Sequence, residues 1–276
     1  RTSLTDEDEI ISRIGGAEVV LTNKTPISKE TMDKCPNLKM IAVLATGYNV
    51  INYDYAKEKG IPVCNVPTYG TACVGQYAIA LLLEVCHHIG HHDKTVHEGK
   101  WANHIDWCYW DHSLIELDGK TAGIIGFGRI GQTTGRIAKA LGMKVLAYDP
   151  YVKELPEEFQ SYVTLCGENE VISGCDFLSL HLPLNDETRN MISAPQLASM
   201  KAGAYVINAA RGGIVNEKDL YEALVSGHIA GAAMDVSEVE PMAEENPLRT
   251  LDNVIITPHI GMYSKEAIGA VSLICA

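Results

Sequence analysis

Thr121-Ala122-Gly123-Ile124-Ile125-Gly126-Phe127-Gly128-Arg129-Ile130-Gly131 places glycines at 126, 128 and 131 directly after an apolar run. Such a spacing alone is a weak signal, because a plain tight turn can carry it. Its surroundings make it specific. A strand over Ala122–Ile125 enters the turn, a helix over about 129–141 leaves it, and a second strand, Lys144–Tyr148, follows and ends on Asp149, 18 residues after Gly131. In that setting the glycines let backbone amides approach a pyrophosphate, and the positive end of the helix favours its charge. Asp149 would accept hydrogen bonds from ribose hydroxyls. It is followed by Pro150-Tyr151 with no arginine adjacent, so its carboxylate would face a 2′-phosphate and repel it. The reading is a dinucleotide site for NAD rather than NADP.

The rest of the chain extends this pattern in both directions. Short apolar runs at 17–22, 40–45 and 61–66 alternate with helical stretches at 28–35 and 52–59, and strand-helix-strand order implies a parallel sheet with helices on its faces. A single long helix is expected over about Ala72 to Glu98. Its centre is apolar most of the way round, which places it between domains or subunits. After the glycine turn a second βα series runs to about Pro258, so the expected boundary lies near residue 100. The fold class is α/β, with two doubly wound parallel-sheet domains.

Bulk properties bound the function. A chain of 276 residues, 46% hydrophobic and 21% charged, is globular and long enough for two domains. Its net charge of −13 argues against nucleic-acid and anionic-membrane partners. The longest apolar run, around Ala78 to Leu83, is broken by Glu84 and falls far short of the roughly 20 residues of a membrane span. Eight cysteines (35, 64, 73, 86, 108, 166, 175 and 275) form no CxxC pair, which fits reduced thiols in a cytoplasm. The chain opens at Arg1 in an acidic helix start, Leu4-Thr5-Asp6-Glu7, and stops at Ala276 inside an apolar helical pattern. Flanking segments are therefore expected on both sides.

The downstream strands end in polar groups, where a doubly wound sheet puts its ligands. Leu178–Leu180 runs into His181-Leu182-Pro183, Tyr205–Ala209 into Arg211, Ala232–Met234 into Asp235 with Glu240 shortly after, and Val254–Thr257 into Pro258-His259. An arginine, a glutamate and a histidine brought together can polarise a carbonyl and deliver a proton.

With these segments in order, the chain resembles the D-isomer-specific 2-hydroxyacid dehydrogenases over nearly its whole length. The carrying stretches are Gly123–Gly131 with Asp149-Pro150, Leu180-His181-Leu182-Pro183-Leu184, Val206 to Gly213, Met234-Asp235-Val236 through Glu240-Pro241, and Thr257-Pro258-His259-Ile260. Ala45-Thr46-Gly47-Tyr48-Asn49, Asn65 to Gly70 and Leu114-Ile115-Glu116-Leu117 look most like the glycerate dehydrogenase (hydroxypyruvate reductase) branch, whereas Gly261-Met262-Tyr263 departs toward D-lactate dehydrogenases. The resemblance implies a flavodoxin-like substrate domain split by the NAD domain: residues 1–99, then 100–262 for NAD, then a return over 263–276. It also implies a further strand and helix upstream, a longer C-terminal helix, and a homodimer pairing two cofactor domains about a twofold axis.

The resemblance further implies roles residue by residue. Arg211 binds a small 2-oxo acid and polarises its carbonyl, and His259 donates the proton. Glu240 bonds the far nitrogen of His259, fixing its tautomer and stabilising its protonated form. Backbone amides at Thr46 and Gly47 receive the substrate carboxylate. At the cofactor, Gly126, Gly128, Gly131, Arg129 and Ile130 take the pyrophosphate and Asp149 the ribose. His181 and Pro183 lie on the adenine side, Ala209 and Ala210 near the nicotinamide ribose, and Asp235 at the carboxamide. Arg211 and His259 border the same site, with Val74 and Thr188 as weaker carry-overs. The implied reaction interconverts a 2-oxo acid and a D-2-hydroxy acid, with hydroxypyruvate and D-glycerate favoured and D-lactate or another hydroxy acid as the alternative. A dinucleotide-sensing binding protein on this fold, and formate dehydrogenase with an amide in place of Glu240, are the rival readings. Taken singly, Arg211 could be a surface ion-pair partner, Glu240 a loop acid and His259 a strand-end hydrogen-bonder; here they occur in one pattern. Histidines 87, 88, 91 and 92 have i,i+4 spacing that can clamp a metal, but a polar helix face is the preferred reading and no metal is assigned. The aromatics at 107, 109 and 110 line a substrate pocket or pack a subunit interface.

Overall fold

The computed structural model describes residues 6–275 as two compact units, Arg1–Gly70 with Tyr263–Ala276, and Thr71–Met262. The beginning of the acidic helix start, Leu4-Thr5, lies outside the described residues. In the first unit, α1 (Glu7–Ile14) is capped by Asp6, whose side chain accepts from the Glu9 amide. It is followed by β1 (Val19–Thr22), α2 (Lys29–Lys34), β2 (Met40–Val43), α3 (Tyr53–Glu58) and β3 (Val63–Asn65). Ser28 and Asn52 cap α2 and α3 in the same way. The strands pair in parallel in the order β1-β2-β3, with Val19 opposite Met40 and Ile41 opposite Val63. Ile10, Ile27, Met32, Leu38, Ile41 and Val43 form the core.

The second unit holds α4 (Thr71–His87), α5 (Ile89–His97), β4 (Thr121–Ile125), α6 (Arg129–Ala140), β5 (Lys144–Tyr148), β6 (Val163–Leu165), α7 (Glu168–Gly174), β7 (Phe177–Leu180), α8 (Ala194–Ser199), β8 (Ala204–Asn208), α9 (Glu217–Val225), β9 (Ile229–Met234) and β10 (Val254–Ile256). Its seven strands are all parallel, in the order β10-β9-β8-β7-β4-β5-β6. Strand order reverses between β4 and β7, the switch point at which such sheets bind ligands. Helices cover both faces, so β7 is buried at every residue and the apolar clusters are two. Helix α10 (Lys265–Cys275) returns to the first unit.

Two expectations are corrected here. The first junction falls at Gly70 rather than near residue 100, because α4 packs on α6, β8 and β9. Its apolar circumference is buried within the cofactor unit: Ala78, Ile79, Leu81, Leu82, Val85 and Cys86 all face that core. Nor is 72–98 one helix. His88 adopts the left-handed conformation (φ 49°, ψ 43°) and the axis bends by 60° between α4 and α5. The Glu84 carboxylate accepts the Gly90 amide at 2.9 Å, satisfying the start of α5. No single helix among the described residues is long and apolar enough to cross a membrane.

The histidines at this bend serve local structure. His88 stacks on His112 with centroids 4.3 Å apart, His91 meets Asp111 at 2.8 Å, and Asp111 donates its amide to His92. Among the described residues no group of three or more ligands is arranged to hold a metal. Tyr109 bonds Thr95 at 2.7 Å, while Trp107 and Trp110 are 87% and 70% exposed. Cys35, Cys64, Cys73, Cys86, Cys108, Cys166 and Cys175 are free, and burial pushes the Cys86 and Cys175 thiols up to about 12.

Candidate active site

The glycine turn shows three separate reasons for glycine. Gly126 ends β4 at φ +91°, where a Cβ would lie 2.5 Å from the His181 carbonyl oxygen. Gly131 sits in the first turns of α6, where a Cβ would lie 2.1 Å from the Gly126 oxygen. Around Gly128, by contrast, no atom lies within 4 Å of a Cβ position. Two glycines thus permit the turn, and the third leaves its backbone open to a ligand. Arg129 and Ile130 begin α6 beside that opening.

Asp149, half-buried at the end of β5, is fixed against this turn. Its Oδ2 accepts the Phe127 amide and its Oδ1 the Tyr151 amide, each at 2.9 Å. Across the switch point, His181 follows β7 with Nε2 3.0 Å from Ser179 Oγ, while its Nδ1 is buried without a partner. Burial lowers its pKa to about 4, so the ring is neutral at pH 7. Thr188 Oγ donates to the Pro183 carbonyl at 2.7 Å and shapes the next loop. An open Gly128 face, an aligned Asp149 carboxylate and an orphaned His181 nitrogen around one switch point fit a bound dinucleotide. Val74 is half-buried on α4 and packs against the core cluster.

After β8 the chain turns sharply to present Arg211. Asn208, fully buried, shapes the turn: its Nδ2 donates to the Arg211 carbonyl at 2.9 Å and its Oδ1 accepts the Ala210 amide at 3.1 Å. Ala209 is buried beside it, and Arg211 Nη1 donates to the Ala210 carbonyl at 2.7 Å. Gly212 lies so close to the Ser237 carbonyl that a Cβ would stand 1.7 Å from its oxygen. The Arg211 loop therefore rests directly on the loop carrying Glu240.

His259 follows β10 in the left-handed region, φ 56°. Asp235, 1% exposed, brackets it: Oδ1 accepts Thr257 Oγ (2.7 Å) and the Ile260 amide (2.9 Å), and Oδ2 accepts the Gly261 amide (2.8 Å). So held, His259 Nδ1 meets Glu240 Oε2 at 2.6 Å, with the side chains 19% and 35% exposed. This leaves Nε2 as the nitrogen for proton exchange. Asn208 and the bracketing use of Asp235 were not foreseen; an Asn two residues before a turn amide is the local signal that could have found the first.

Thr46 and Gly47 lie in the first unit, in the loop after β2. Thr46 Oγ donates to the Val66 carbonyl at 3.0 Å, and Asn65 Nδ2 donates to the Thr46 carbonyl at 2.8 Å.

Residues 79–261 match the family model described as D-isomer specific 2-hydroxyacid dehydrogenase, NAD binding domain. The chain is 56% identical over 268 residues to a hydroxypyruvate reductase of Blautia hydrogenotrophica, covering 97% of this chain and 82% of that one. It is 38% identical over 262 residues to a glycerate dehydrogenase of Methylorubrum extorquens, covering 94% and 81%. The structure of Aquifex aeolicus D-lactate dehydrogenase with NAD and lactic acid superposes with a TM-score of 0.82 at 30% identity, over all of this chain and 86% of that one. The chain belongs to the D-isomer specific 2-hydroxyacid dehydrogenase family, whose NAD-dependent enzymes interconvert 2-oxo and D-2-hydroxy acids.

Proposed function

We propose that the chain reduces hydroxypyruvate to D-glycerate, and oxidises D-glycerate in reverse, with NAD as cofactor. The observation carrying this is the 2.6 Å pair of His259 and Glu240, set on the same sheet edge as Arg211 and the glycine turn. NAD, when bound, supplies the hydride acceptor or donor. The planar guanidinium of Arg211 binds the 2-oxo acid and polarises its C2 carbonyl. Imidazolium His259 gives the Nε2 proton to the carbonyl oxygen as it becomes an alkoxide, and neutral His259 takes it back in oxidation. Glu240 accepts a hydrogen bond from Nδ1–H throughout, keeping the tautomer that this exchange needs. Thr46 and Gly47 keep the part the resemblance gives them, receiving the substrate carboxylate.

The 56% identity to a hydroxypyruvate reductase supports this substrate. One observation favours a second reading, a D-lactate dehydrogenase. A Cβ on Gly261 would lie 2.9 Å from Asp235 Oδ2 and 3.0 Å from the Tyr77 ring, so the glycine that opens the Gly261-Met262-Tyr263 departure is required by its surroundings. Initial rates with NADH against hydroxypyruvate, glyoxylate, pyruvate and 2-oxoisocaproate decide between them: hydroxypyruvate should give the highest kcat/KM, and a lead for pyruvate would establish the alternative. The enzyme acts as a homodimer in this proposal, in keeping with exposed Ile89, Trp101, Ile105, Trp107, Trp110 and Leu114 on one continuous segment. A cytoplasmic setting suits its free thiols.

A further inference from the structure

Glu217, the first residue of α9, makes more hydrogen bonds than a helix-start acid requires. Its Oε1 accepts Ser237 Oγ at 2.8 Å and the Glu238 amide at 2.7 Å, and its Oε2 accepts Asn246 Nδ2 at 2.6 Å. Its own amide donates to Glu238 Oε1 at 2.8 Å, so the two glutamates are reciprocally joined. The three groups bound by the carboxylate stand at both stems of one loop: Ser237 and Glu238 where it leaves β9, and Asn246 where it closes. Asn246 in turn accepts the Leu248 amide at 3.0 Å and so starts the short helical turn after the loop. Glu240 lies between those stems, and its Oε1 accepts the Ser237 amide at 3.3 Å.

We propose that Glu217 is a positioning residue for proton transfer: it ties the two stems of the 237–246 loop together and thereby holds the Glu240 carboxylate on His259 Nδ1. The inference rests on the reading of Glu240 and His259 as the proton-exchanging pair, and adds the group that sets their distance. Arg211 shares the brace. The chain from Arg211 to Glu217 is short and buried at Gly213, Ile214 and Val215, and Gly212 rests on Ser237, so the arginine loop and the glutamate loop are fastened at two points. The bland alternative is an acidic residue that only complements the helix dipole. It accounts for the position of Glu217 but not for three donors converging from a loop some twenty residues away. Charged groups close to this assembly include Glu238, which accepts the Glu217 amide, and Asp235, which accepts the Ile260 amide next to His259 in the chain.

The test reads the pair directly by proton NMR and, independently, by kinetics. In the full-length enzyme the His259 Nδ1 proton, assigned by its loss in His259→Ala, should resonate far downfield as expected of a short bond to a carboxylate. Glu217→Ala should lose that resonance, as Glu240→Gln does. Glu217→Gln keeps an accepting oxygen for Ser237 and Glu238 but turns an NH2 group on the Asn246 Nδ2 donor, so it should weaken the resonance without abolishing it, and an unfolding midpoint equal to the wild type's in either variant separates loss of the brace from misfolding. In parallel, kcat/KM for the 2-oxo acid should fall by about 10–100-fold in Glu217→Ala. The fall should lie in kcat, with KM for NADH unchanged within twofold. Added to Glu240→Gln, Glu217→Ala should lower kcat no further, because it acts through Glu240. A retained downfield proton and an unchanged kcat in Glu217→Ala would overturn the proposal even if Glu240→Gln is impaired. Failure of wild-type enzyme to turn over any 2-oxo acid would instead count against the proposed function, while the NMR signal still decides the role of Glu217.

Discussion

His259 and Glu240 set the most direct prediction, since each direction of the reaction needs a different form of the imidazole. Reduction draws its proton from His259 Nε2, and the Glu240 carboxylate at 2.6 Å holds the ring in the tautomer and orientation that deliver it. Glu240→Gln keeps the shape but removes the carboxylate acceptor, so kcat/KM for the 2-oxo acid should fall by about 10–100-fold with KM for NADH unchanged. His259→Ala should lower the rate by about 10²–10⁴-fold. A second residue gives a stability prediction. Burial lowers His181 to about 4, against about 6.5 in an unfolded chain. Between those values the unfolded state takes up a proton that the folded state refuses, so stability is complete above about pH 6.5 and declines as pH falls toward 4, by at most about 3 kcal/mol. The urea midpoint should therefore be lower at pH 5 than at pH 7, and His181→Gln should shrink the difference.

At the scale of elements, the glycine turn separates folding from ligand binding. Gly131→Ala drives a Cβ into the Gly126 backbone and should lower stability by about 1–3 kcal/mol in urea denaturation. Gly128→Ala meets open space, so its unfolding midpoint should match the wild type while its KM for NADH rises. Elements of this kind were legible because their signals are local: Lys144–Tyr148 has the same bounds in the sequence pattern and in the structure, and the helix after the turn ends within a residue of expectation. The break at His88 was not legible. Its cause is a carboxylate six residues before the amide it caps, and neither proline nor a glycine run announces it. The bracing role of Glu217 was hidden for a related reason, since the donors it holds come from residues 237–246 and composition carries no trace of that pairing. Of the site itself, Arg211, Glu240, His259 and Asp149 could be named because they close successive strands, whereas the groups that hold them in place could not.

For the whole molecule, the misplaced boundary has the same origin: an apolar helix announces that it is buried but not against what, and α4 is buried on the cofactor unit. The exposed aromatic segment leads to a prediction about assembly. Light scattering at micromolar concentration should give twice the chain mass, and Trp107→Glu with Trp110→Glu should reduce it to that of a single chain; a wild-type monomer with full activity would refute the dimer. Finally, the chain leaves its first unit at Gly70 and rejoins it at Tyr263, which imposes an order on biosynthesis. At about 5–20 residues per second, a ribosome takes roughly 10–40 s to make the inserted unit. Over that interval the inserted unit can complete its own core, while the opening segment waits for the chain from Tyr263 onward. Ile41 and Val43, buried in the finished first unit, are then the apolar surface open to neighbouring nascent chains. The time spent on the ribosome, more than the stability of the finished enzyme, governs that hazard.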